Sequence, residues 1–290
     1  MPPALTTFII LWLFVLGCVV GSFLNVLIWR LPRGLGMGSP RRSICPNCEH
    51  PIRWYDNIPV LSFLVLGARC RDCAEPISWR YPLVEALTGL LFALVYWRQG
   101  VQVGAGADQI TIMLLAVCLL IVGSAIDMEW LIIPDEITIF GLLGGLAAGL
   151  MVPSLHVGAA PYHTFEGLTG LYHLDGLIAS LIGALGGGLM VVVFAIIGAV
   201  IFRREAMGFG DVKLMAMLGA FFGWKFVVVA FFIAPFVGLL YGIPLLVMSD
   251  EHVMPYGPFL SIGALITIIF RSNLCRYLEP LEYLAGLLLG

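Results

Sequence analysis

Charged side chains are scarce in this chain. Of its 290 residues only 11% are charged, whereas 60% are hydrophobic and the mean hydropathy is +1.01. Soluble domains carry about a quarter charged residues, so this composition excludes an ordinary soluble protein and indicates a membrane protein. The net charge of −3 is too small to indicate binding to nucleic acid, and we expect no such partner.

The first apolar run lacks the features of a cleaved signal peptide. No basic segment precedes it and no Ala-x-Ala-like cleavage site follows it, whereas Arg30 and Arg33 come directly after it. We therefore expect residues 1–29 to contain an uncleaved first transmembrane helix with its N-terminus outside the cytoplasm. We see no internal repeat and no low-complexity segment in the chain.

Apolar runs long enough for a membrane recur along the sequence. A hydrocarbon core of about 30 Å takes about 20 helical residues. The fold class predicted is therefore an all-α polytopic protein with about eight helices in the lipid bilayer. The sixth run is short and is either a span or a half-buried, re-entrant segment. The eight runs are 5–29, 82–97, 109–126, 131–152, 175–202, 212–224, 226–248 and 257–270.

Basic residues cluster on one side of this predicted topology. Eleven of the fifteen Lys and Arg residues fall in the 30–81 loop or the 203–213 turn, which lie on the same side. By the positive-inside rule that side is cytoplasmic. The four others fall on the opposite side: Arg98, Lys225, Arg271 and Arg276.

The 30–81 loop contains two Cys-x2-Cys pairs separated by 21 residues. Two such pairs complete a tetrahedral S4 site suited to zinc, and thiols in the cytoplasm stay reduced. We expect residues 30–81 to form a small cytoplasmic domain held by a structural zinc ion, because a closed four-thiolate site has no open position for catalysis. The alternative is a redox or vestigial pair. The ligands would be Cys45, Cys48, Cys70 and Cys73.

Two other groups of possible metal ligands lack a suitable pattern. Three histidines are spaced irregularly in the 153–174 loop, and we expect them to hold no metal; they are His156, His163 and His173. Three cysteines are isolated in or beside the apolar runs and are interpreted as packing residues; they are Cys18, Cys118 and Cys275.

Aspartates mark the cytoplasmic ends of three predicted helices. Asp127 ends the third helix and Asp135 begins the fourth. Two further crossings return the chain to the same face, where Asp211 emerges. Two carboxyl groups that share a site hold one proton between them, so one can accept a proton from water while the other donates one to a peptide carbonyl. Asp127 and Asp211 are therefore candidates for a two-carboxylate protease.

Glycines surround the third of these aspartates. Gly208 and Gly210 can adopt backbone angles closed to other residues and allow a substrate strand to approach closely. The alternative is that Asp211 is only the N-cap of its helix, which favours aspartate. Asp135, directly after Pro134, looks even more like a helix cap.

Taken together, six segments resemble the type IV prepilin peptidases, membrane aspartic proteases of the Gly-x-Gly-Asp class. They occur in that family's order and cover nearly the whole chain. They are GSFLNVLIWRLP (21–32), the CPNC…CRDC loop, RYPLVEALTG (80–89), DMEWLIIPD (127–135), GFGDVK (208–213) and MPYGPFL (254–260).

The resemblance implies a multi-pass bacterial inner-membrane enzyme whose residues 82–290 form the aspartic peptidase domain. It implies that Asp127 and Asp211 are catalytic, with prepilins and the pseudopilins of type II secretion as substrates. The basic leader would be cut after a glycine at the cytoplasmic face. The residues given a supporting role are Gly208, Gly210, Lys213, Pro134 and Asp135.

Many members of this family also methylate the new N-terminus with S-adenosylmethionine. The cysteine-bearing loop accompanies the bifunctional form, but no Gly-rich nucleotide-binding loop follows a strand here, so we assign no residues to that cofactor. Acidic residues at the cytoplasmic face are expected to attract the basic leader. They are Glu129, Glu136, Asp250 and Glu251.

Two other interpretations remain open. The protein is either bifunctional or a peptidase without methyltransferase activity. A transporter or assembly factor could also use paired aspartates for ions or protons, but it would be expected to bury them near the midplane. The GPFL segment (257–260) either shapes a substrate groove at Pro258 or forms an ordinary kinked helix.

Overall fold

The computed structural model describes residues 2–36, 43–156, 169–203, 207–248 and 255–271. Within these ranges the regular structure is helical, with two isolated β-bridges and no strand, as the predicted all-α class requires. The helices are α1 (Pro3–Arg30), α2 (Leu61–Val65), α3 (Arg80–Val95), α4 (Ala107–Trp130), α5 (Asp135–Met151), α6 (Tyr172–Phe202), α7 (Phe209–Phe222), α8 (Trp224–Met248) and α9 (Gly257–Arg271).

Four of these helices are long and apolar enough to cross a membrane. They are the segments Pro3–Arg33, Ala107–Trp130, Tyr172–Ile201 and Trp224–Tyr241. The other predicted spans are shorter: α3 has 16 residues, α5 has 17 and α7 has 14. A π-helical segment, Tyr96–Val103, extends α3. The membrane character is thus supported, whereas the number of eight spans remains a prediction.

Contacts between helix ends show that successive helices run in opposite directions. At the end of the bundle that carries the cysteine loop, called the loop end below, Arg80 at the start of α3 pairs with Glu129 at the end of α4. Gly257, the first residue of α9, meets Asp127 at the same end. Helices α3 and α9 therefore start where α4 finishes.

The opposite end of the bundle shows the complementary contacts. The Gln99 side chain, beyond the end of α3, donates a hydrogen bond to the Ile268 carbonyl of α9 over 2.6 Å. Arg271, the last residue of α9, donates to the Leu155 carbonyl beyond α5, also over 2.6 Å. The sequence predicted this alternation of helix directions, which brings Asp127 and Asp211 to the same end of the bundle.

Small residues let α5, α6 and α7 approach closely. A Cβ atom added to Gly219 of α7 would overlap the backbone of Gly183 in α6. The Ser180 hydroxyl bonds to backbone carbonyls of both α5 and α7, at Gly145 and Ala220. Membrane helices commonly associate through such small side chains and interhelical hydrogen bonds. This packing holds α7 in the centre of the bundle, where Leu214, Met215, Met217, Leu218 and Phe221 are almost completely buried.

A second close contact joins α1 to α3. A Cβ atom on Gly21 would lie 2.7 Å from Cα of Glu85, and one on Gly17 would lie 2.7 Å from Cα of Gly89. The Asn25 side chain donates a hydrogen bond to the Tyr81 carbonyl over 3.1 Å. These contacts position the cysteine loop, which connects the two helices.

Candidate functional site

Asp127 lies in the last turn of α4 and is 6% exposed. The helix ends at Leu131, whose left-handed backbone (φ 55°) lets its amide bond to the Asp127 carbonyl. The Asp127 side chain accepts a hydrogen bond at Oδ2 from the Gly257 amide over 3.1 Å. This carboxyl group is therefore oriented by the first residue of α9.

Asp211 lies in the first turn of α7 and is also 6% exposed. Its Oδ2 accepts a hydrogen bond from the Gly208 amide over 3.2 Å, and its own amide donates to the Gly208 carbonyl over 3.1 Å. The suggestion that Asp211 is the N-cap was wrong, because Gly208 is the N-cap and Asp211 is the third helical residue. Its carboxyl group nevertheless makes the return half of a capping box.

The two carboxyl groups lie at the loop end, within range of an electrostatic interaction with each other. Ile133 packs beside a neighbour of each: a Cβ atom on Gly210 would lie 3.2 Å from Cβ of Ile133, and one on Gly257 would lie 3.0 Å from its Cδ1. Among the described residues, Oδ1 of each aspartate accepts no hydrogen bond. The arrangement thus leaves one oxygen of each carboxyl group available for a ligand.

Gly257 is a site residue that sequence reasoning did not identify. It lies in the GPFL segment (257–260), whose role was left open between a substrate groove and a kinked helix. The structure rejects the kink, because α9 starts at Gly257 and Pro258 occupies its first turn, where the missing amide costs nothing. A side chain at position 257 would lie 2.7 Å from Oδ2 of Asp127.

The proposed supporting residues form a layer beside the pair. Lys213 makes an ion pair with Asp135, and its ammonium lies 4.8 Å from the ring centre of Phe209. The expectation that Asp135 caps its helix was wrong, because the buried Pro134 is the N-cap of α5 and Asp135 is its exposed first helical residue. The ion pair ties the start of α5 to the start of α7, so it joins the helix that follows Asp127 to the helix that contains Asp211.

The acidic residues expected to attract a basic leader have different environments. Glu129 is paired with Arg80, while Glu136 is exposed in the first turn of α5. Asp250 and Glu251 lie outside the described residues. A basic leader would therefore have to compete with Arg80 for the Glu129 carboxylate.

The four loop cysteines form one cluster. Their Sγ atoms all lie within 4.8 Å of one another, and those of Cys45 and Cys73 are 3.9 Å apart. A tetrahedral zinc ion with Zn–S bonds of about 2.3 Å needs sulfur atoms about 3.8 Å apart, so the cluster fits this metal. Hydrogen bonds from the Glu75 backbone and the Asn47 side chain lower the pKa of the Cys73 thiol to about 7. This favours the thiolate that binds metal.

The cluster is built from a short repeat that sequence reasoning missed. The amides of Cys45 and Cys70 bond to the carbonyls of His50 and Glu75, over 3.0 and 2.8 Å. Residues 49 and 74 both adopt left-handed backbone angles (φ 58° and 60°). The pattern was visible as Cys-x2-Cys-x2-Pro-Ile in CPNCEHPI and CRDCAEPI, so the expectation of no internal repeat was wrong.

The remaining histidines and cysteines lie elsewhere. His156 is buried after the turn that follows α5, and Nδ1 of His173 contacts the Leu150 carbonyl at 2.8 Å. Cys18 is buried against Gly89 and Cys118 is half-buried in α4, in line with packing roles. His163 and Cys275 lie outside the described residues.

Two known family models match this chain, one in its N-terminal part and one in its central part. The model of the bacterial peptidase A24 N-terminal domain matches residues 15–99, and that of the type IV leader peptidase family matches residues 113–243. The chain belongs to the type IV leader peptidase family. It is therefore an enzyme of the peptidase class. The cysteine cluster lies in the first matched region of this peptidase, and Asp127 and Asp211 lie in the second.

Characterised relatives cover most of the peptidase. It is 33% identical over 290 residues to the prepilin leader peptidase/N-methyltransferase of Aeromonas hydrophila, covering 91% of each chain. The identity to the enzyme of that name from Pseudomonas aeruginosa is 33% over 296 residues, covering 93% of each. That from Myxococcus xanthus is 39% identical over 240 residues, which are 83% of this chain and 64% of the relative. No solved structure matches the chain.

Proposed function

We propose that the protein is a prepilin leader peptidase whose catalytic pair is Asp127 and Asp211. The observation that carries this proposal is that two buried carboxyl groups, at the end of α4 and the start of α7, lie at one end of the bundle within range of an electrostatic interaction. Each is held at Oδ2 by a backbone amide and presents Oδ1. Family membership supports the reaction class, and the geometry supports these two residues.

The chemistry follows from one proton shared by the two carboxyl groups. The ionised carboxylate accepts a proton from the attacking water, while the protonated partner donates its proton to the carbonyl oxygen of the scissile peptide. Collapse of the tetrahedral adduct then breaks the C–N bond, and the leaving amine takes up a proton. Because the pair titrates as a unit, we assign neither role to one aspartate.

The substrates we propose are prepilins and pseudopilins, cut after a glycine between a basic leader and an apolar helix. The loop end of the bundle would then face the cytoplasm of a bacterium, with the helices in the inner membrane. The concentration of Arg and Lys in the loop and in the 203–213 turn supports this orientation. Arg98 and Arg271, predicted to lie outside, occupy the opposite end of the bundle.

A second activity, methylation of the new N-terminal amine, is proposed from the names of the relatives. S-Adenosylmethionine supplies an activated methyl group when bound. The new amine would take this methyl group from the sulfonium, with a neutral thioether leaving and the amine proton passing to water. The alternative of a peptidase without this activity is decided by the experiment below.

Zinc is proposed as a structural cofactor held by Cys45, Cys48, Cys70 and Cys73. All four positions of a tetrahedral ion would be filled, so the metal would hold the loop and take no part in peptide cleavage. We accordingly divide the chain into a first membrane helix (1–29), a zinc-binding domain (30–81) and a membrane peptidase domain (82–290). The two matched family regions divide the chain between residues 99 and 113, so α3 falls in the first of them and the boundary at residue 82 is our own proposal.

Mass spectrometry of a prepilin incubated with the purified enzyme and S-adenosylmethionine tests both activities. The wild type should release a product shortened after glycine and one methylene heavier, and Asp127→Asn and Asp211→Asn should each abolish cleavage. Cleavage without added mass would leave a peptidase alone. Full cleavage by either Asn variant would contradict the proposed catalytic pair.

A further inference from the structure

The cysteine loop exposes an apolar surface at helix α2. Residues 58–68 of the loop contain no charged side chain. Phe63 of α2 is buried, whereas Leu61, Leu64 and Val65 are exposed, the last of them to 80%. An exposed apolar surface bordered by charged residues is typical of a contact with another protein or with a membrane.

This surface continues onto helix α3 through Trp79, which directly precedes that helix. The centre of the Trp79 ring lies 4.7 Å from that of Phe63, and the tryptophan is 73% exposed. Leu83, Leu87 and Leu90 follow Trp79 at intervals of four, four and three residues, which places them on one face of α3, and all three are exposed. The exposed side chains at the start of this surface are called the α2 patch below: Leu61, Leu64, Val65 and Trp79.

The depth of α2 in the bundle follows from its contact with α3. The amide of Val60, directly before α2, donates a hydrogen bond to Oε2 of Glu85 over 2.8 Å. Glu85 packs in turn against α1, where a Cβ atom on Gly21 would lie 2.7 Å from its Cα. Gly21 precedes Arg30 by nine residues, which is a rise of about 13.5 Å along α1. The start of α2 therefore lies within one glutamate side chain of the level of Gly21, on the apolar side of Arg30.

The helix surface at this level is apolar. The segment Pro3–Arg33 is long and apolar enough to cross a membrane, and Val19 and Phe23 are exposed two residues to either side of Gly21. Side chains exposed within the apolar run of a spanning helix face the hydrocarbon of the bilayer. Because α2 starts near the same depth, its exposed side chains meet lipid in the membrane-bound protein.

We propose that the α2 patch is inserted into the leaflet at the loop end of the bundle and contacts phospholipid there. Helix α2 lies at the boundary between head groups and acyl chains, the depth that the apolar faces of interfacial helices reach. Trp79 and the exposed Trp54 suit this boundary, where tryptophan is enriched in membrane proteins. Arg53 and Arg69, exposed before and after the apolar stretch, suit anionic head groups. The bilayer thus anchors the cysteine loop, independently of the proposed catalytic pair.

Photolabelling of the wild type tests this proposal without any substitution. The full chain is reconstituted in vesicles of phosphatidylethanolamine and phosphatidylglycerol that contain a phospholipid with a diazirine in its acyl chain. After illumination, labelled peptides are identified by mass spectrometry. Label is expected in residues 61–65 and on the exposed face of α3. Label on α3 with none in residues 61–65 would overturn the proposal.

A photoreactive side chain on α2 distinguishes lipid from a protein partner. Val65→p-benzoylphenylalanine changes an exposed side chain, and the same vesicles should yield phospholipid adducts at this position. The matched control is Glu75→p-benzoylphenylalanine, at an exposed polar position beside the cysteine cluster, where lipid adducts should be lost. Equal lipid labelling of the two variants would contradict insertion of α2. Cross-linked dimers in place of lipid adducts would assign the patch to a second copy of the chain, and prepilin adducts in their place would assign it to the substrate.

Discussion

At the scale of single residues, backbone amides orient both aspartates, and no side chain is needed for this. Gly257 and Gly208 each donate to one carboxyl oxygen. A backbone donor cannot be removed by substitution, but its position depends on how closely the two chain segments approach. The proposed active site should therefore be most sensitive to added volume at these glycines.

Gly257→Ala should lower the rate of leader cleavage strongly. The new Cβ atom would lie 2.7 Å from Oδ2 of Asp127, so the carboxyl group or the start of α9 has to move. Displacement of a catalytic group by about 1 Å can cost about 100-fold in rate. The measurement is kcat for cleavage of a prepilin by purified enzyme.

Gly186→Ala is the control for this substitution. An added Cβ atom there would meet Cβ of Trp224 at 3.5 Å, an ordinary contact, and α6 would gain a better helix-forming residue. Its cleavage rate should match that of the wild type. An equal rate for Gly257→Ala would show that the Gly257 contact does not hold Asp127 for catalysis.

Asp135→Asn should have only a small effect. The Asp135 side chain is 58% exposed and pairs with Lys213, so the loss should be under about 1 kcal/mol in the free energy of unfolding. Cleavage should persist, in contrast to the Asn variants of Asp127 and Asp211. Thermal unfolding and a cleavage assay measure the two effects, and abolished cleavage would move Asp135 into the catalytic machinery.

At the scale of elements, the cysteine loop is a small unit with little core of its own. Phe63 is its buried aromatic residue, packed 4.7 Å from the Trp79 ring, while Trp54, Leu64 and Val65 are exposed. Such a loop cannot bury enough apolar area to fold alone, so its order should depend on the metal.

Cys70→Ser should remove bound zinc and loosen the loop. Purified wild type should contain one zinc ion per chain by elemental mass spectrometry, and the variant almost none. Limited proteolysis should cut the variant faster between residues 43 and 79, because a three-thiolate site with one hydroxyl binds zinc more weakly. Cys118→Ala, which removes a thiol in α4 far from the cluster, should keep the zinc; zinc retained by Cys70→Ser would contradict the four-cysteine site.

At the scale of the whole molecule, alternating helices bring distant segments to one end. Helix α7 has 14 residues and is about 21 Å long, less than the hydrocarbon thickness of about 30 Å. Its last residue, Phe222, lies near Arg271 at the opposite end of the bundle. Asp211 at its start is therefore expected to sit below the membrane surface, where access of water and substrate is restricted.

The orientation of this bundle can be tested with reporter fusions. Alkaline phosphatase, which is active only outside the cytoplasm, should be active when fused after Gly104, in the loop between α3 and α4. It should be inactive when fused after Leu131, at the loop end. Clustered Arg residues at the loop end give the reason for this expectation. The reverse pattern would place the proposed active site outside the cytoplasm.

Several features followed from local sequence. Apolar runs predicted helices because a membrane requires every backbone group to be paired within its own segment. Cysteine spacing predicted the cluster because two knuckles with four thiols suit one metal. Counting crossings predicted that Asp127 and Asp211 share an end. Local sequence also contained the Cys-x2-Cys-x2-Pro-Ile repeat, whose two copies make equivalent backbone hydrogen bonds.

Other features depended on contacts between helices that are far apart in the chain. The Gly257 amide reaches Asp127 across 130 residues, Lys213 pairs with Asp135 across 78, and Asn25 bonds to the Tyr81 carbonyl across 56. Hydrophobic patterning specifies which segments are helical, but not the register at which two helices meet. Close packing at glycines such as Gly21 and Gly219 sets that register, so only the tertiary structure decided what orients the aspartates.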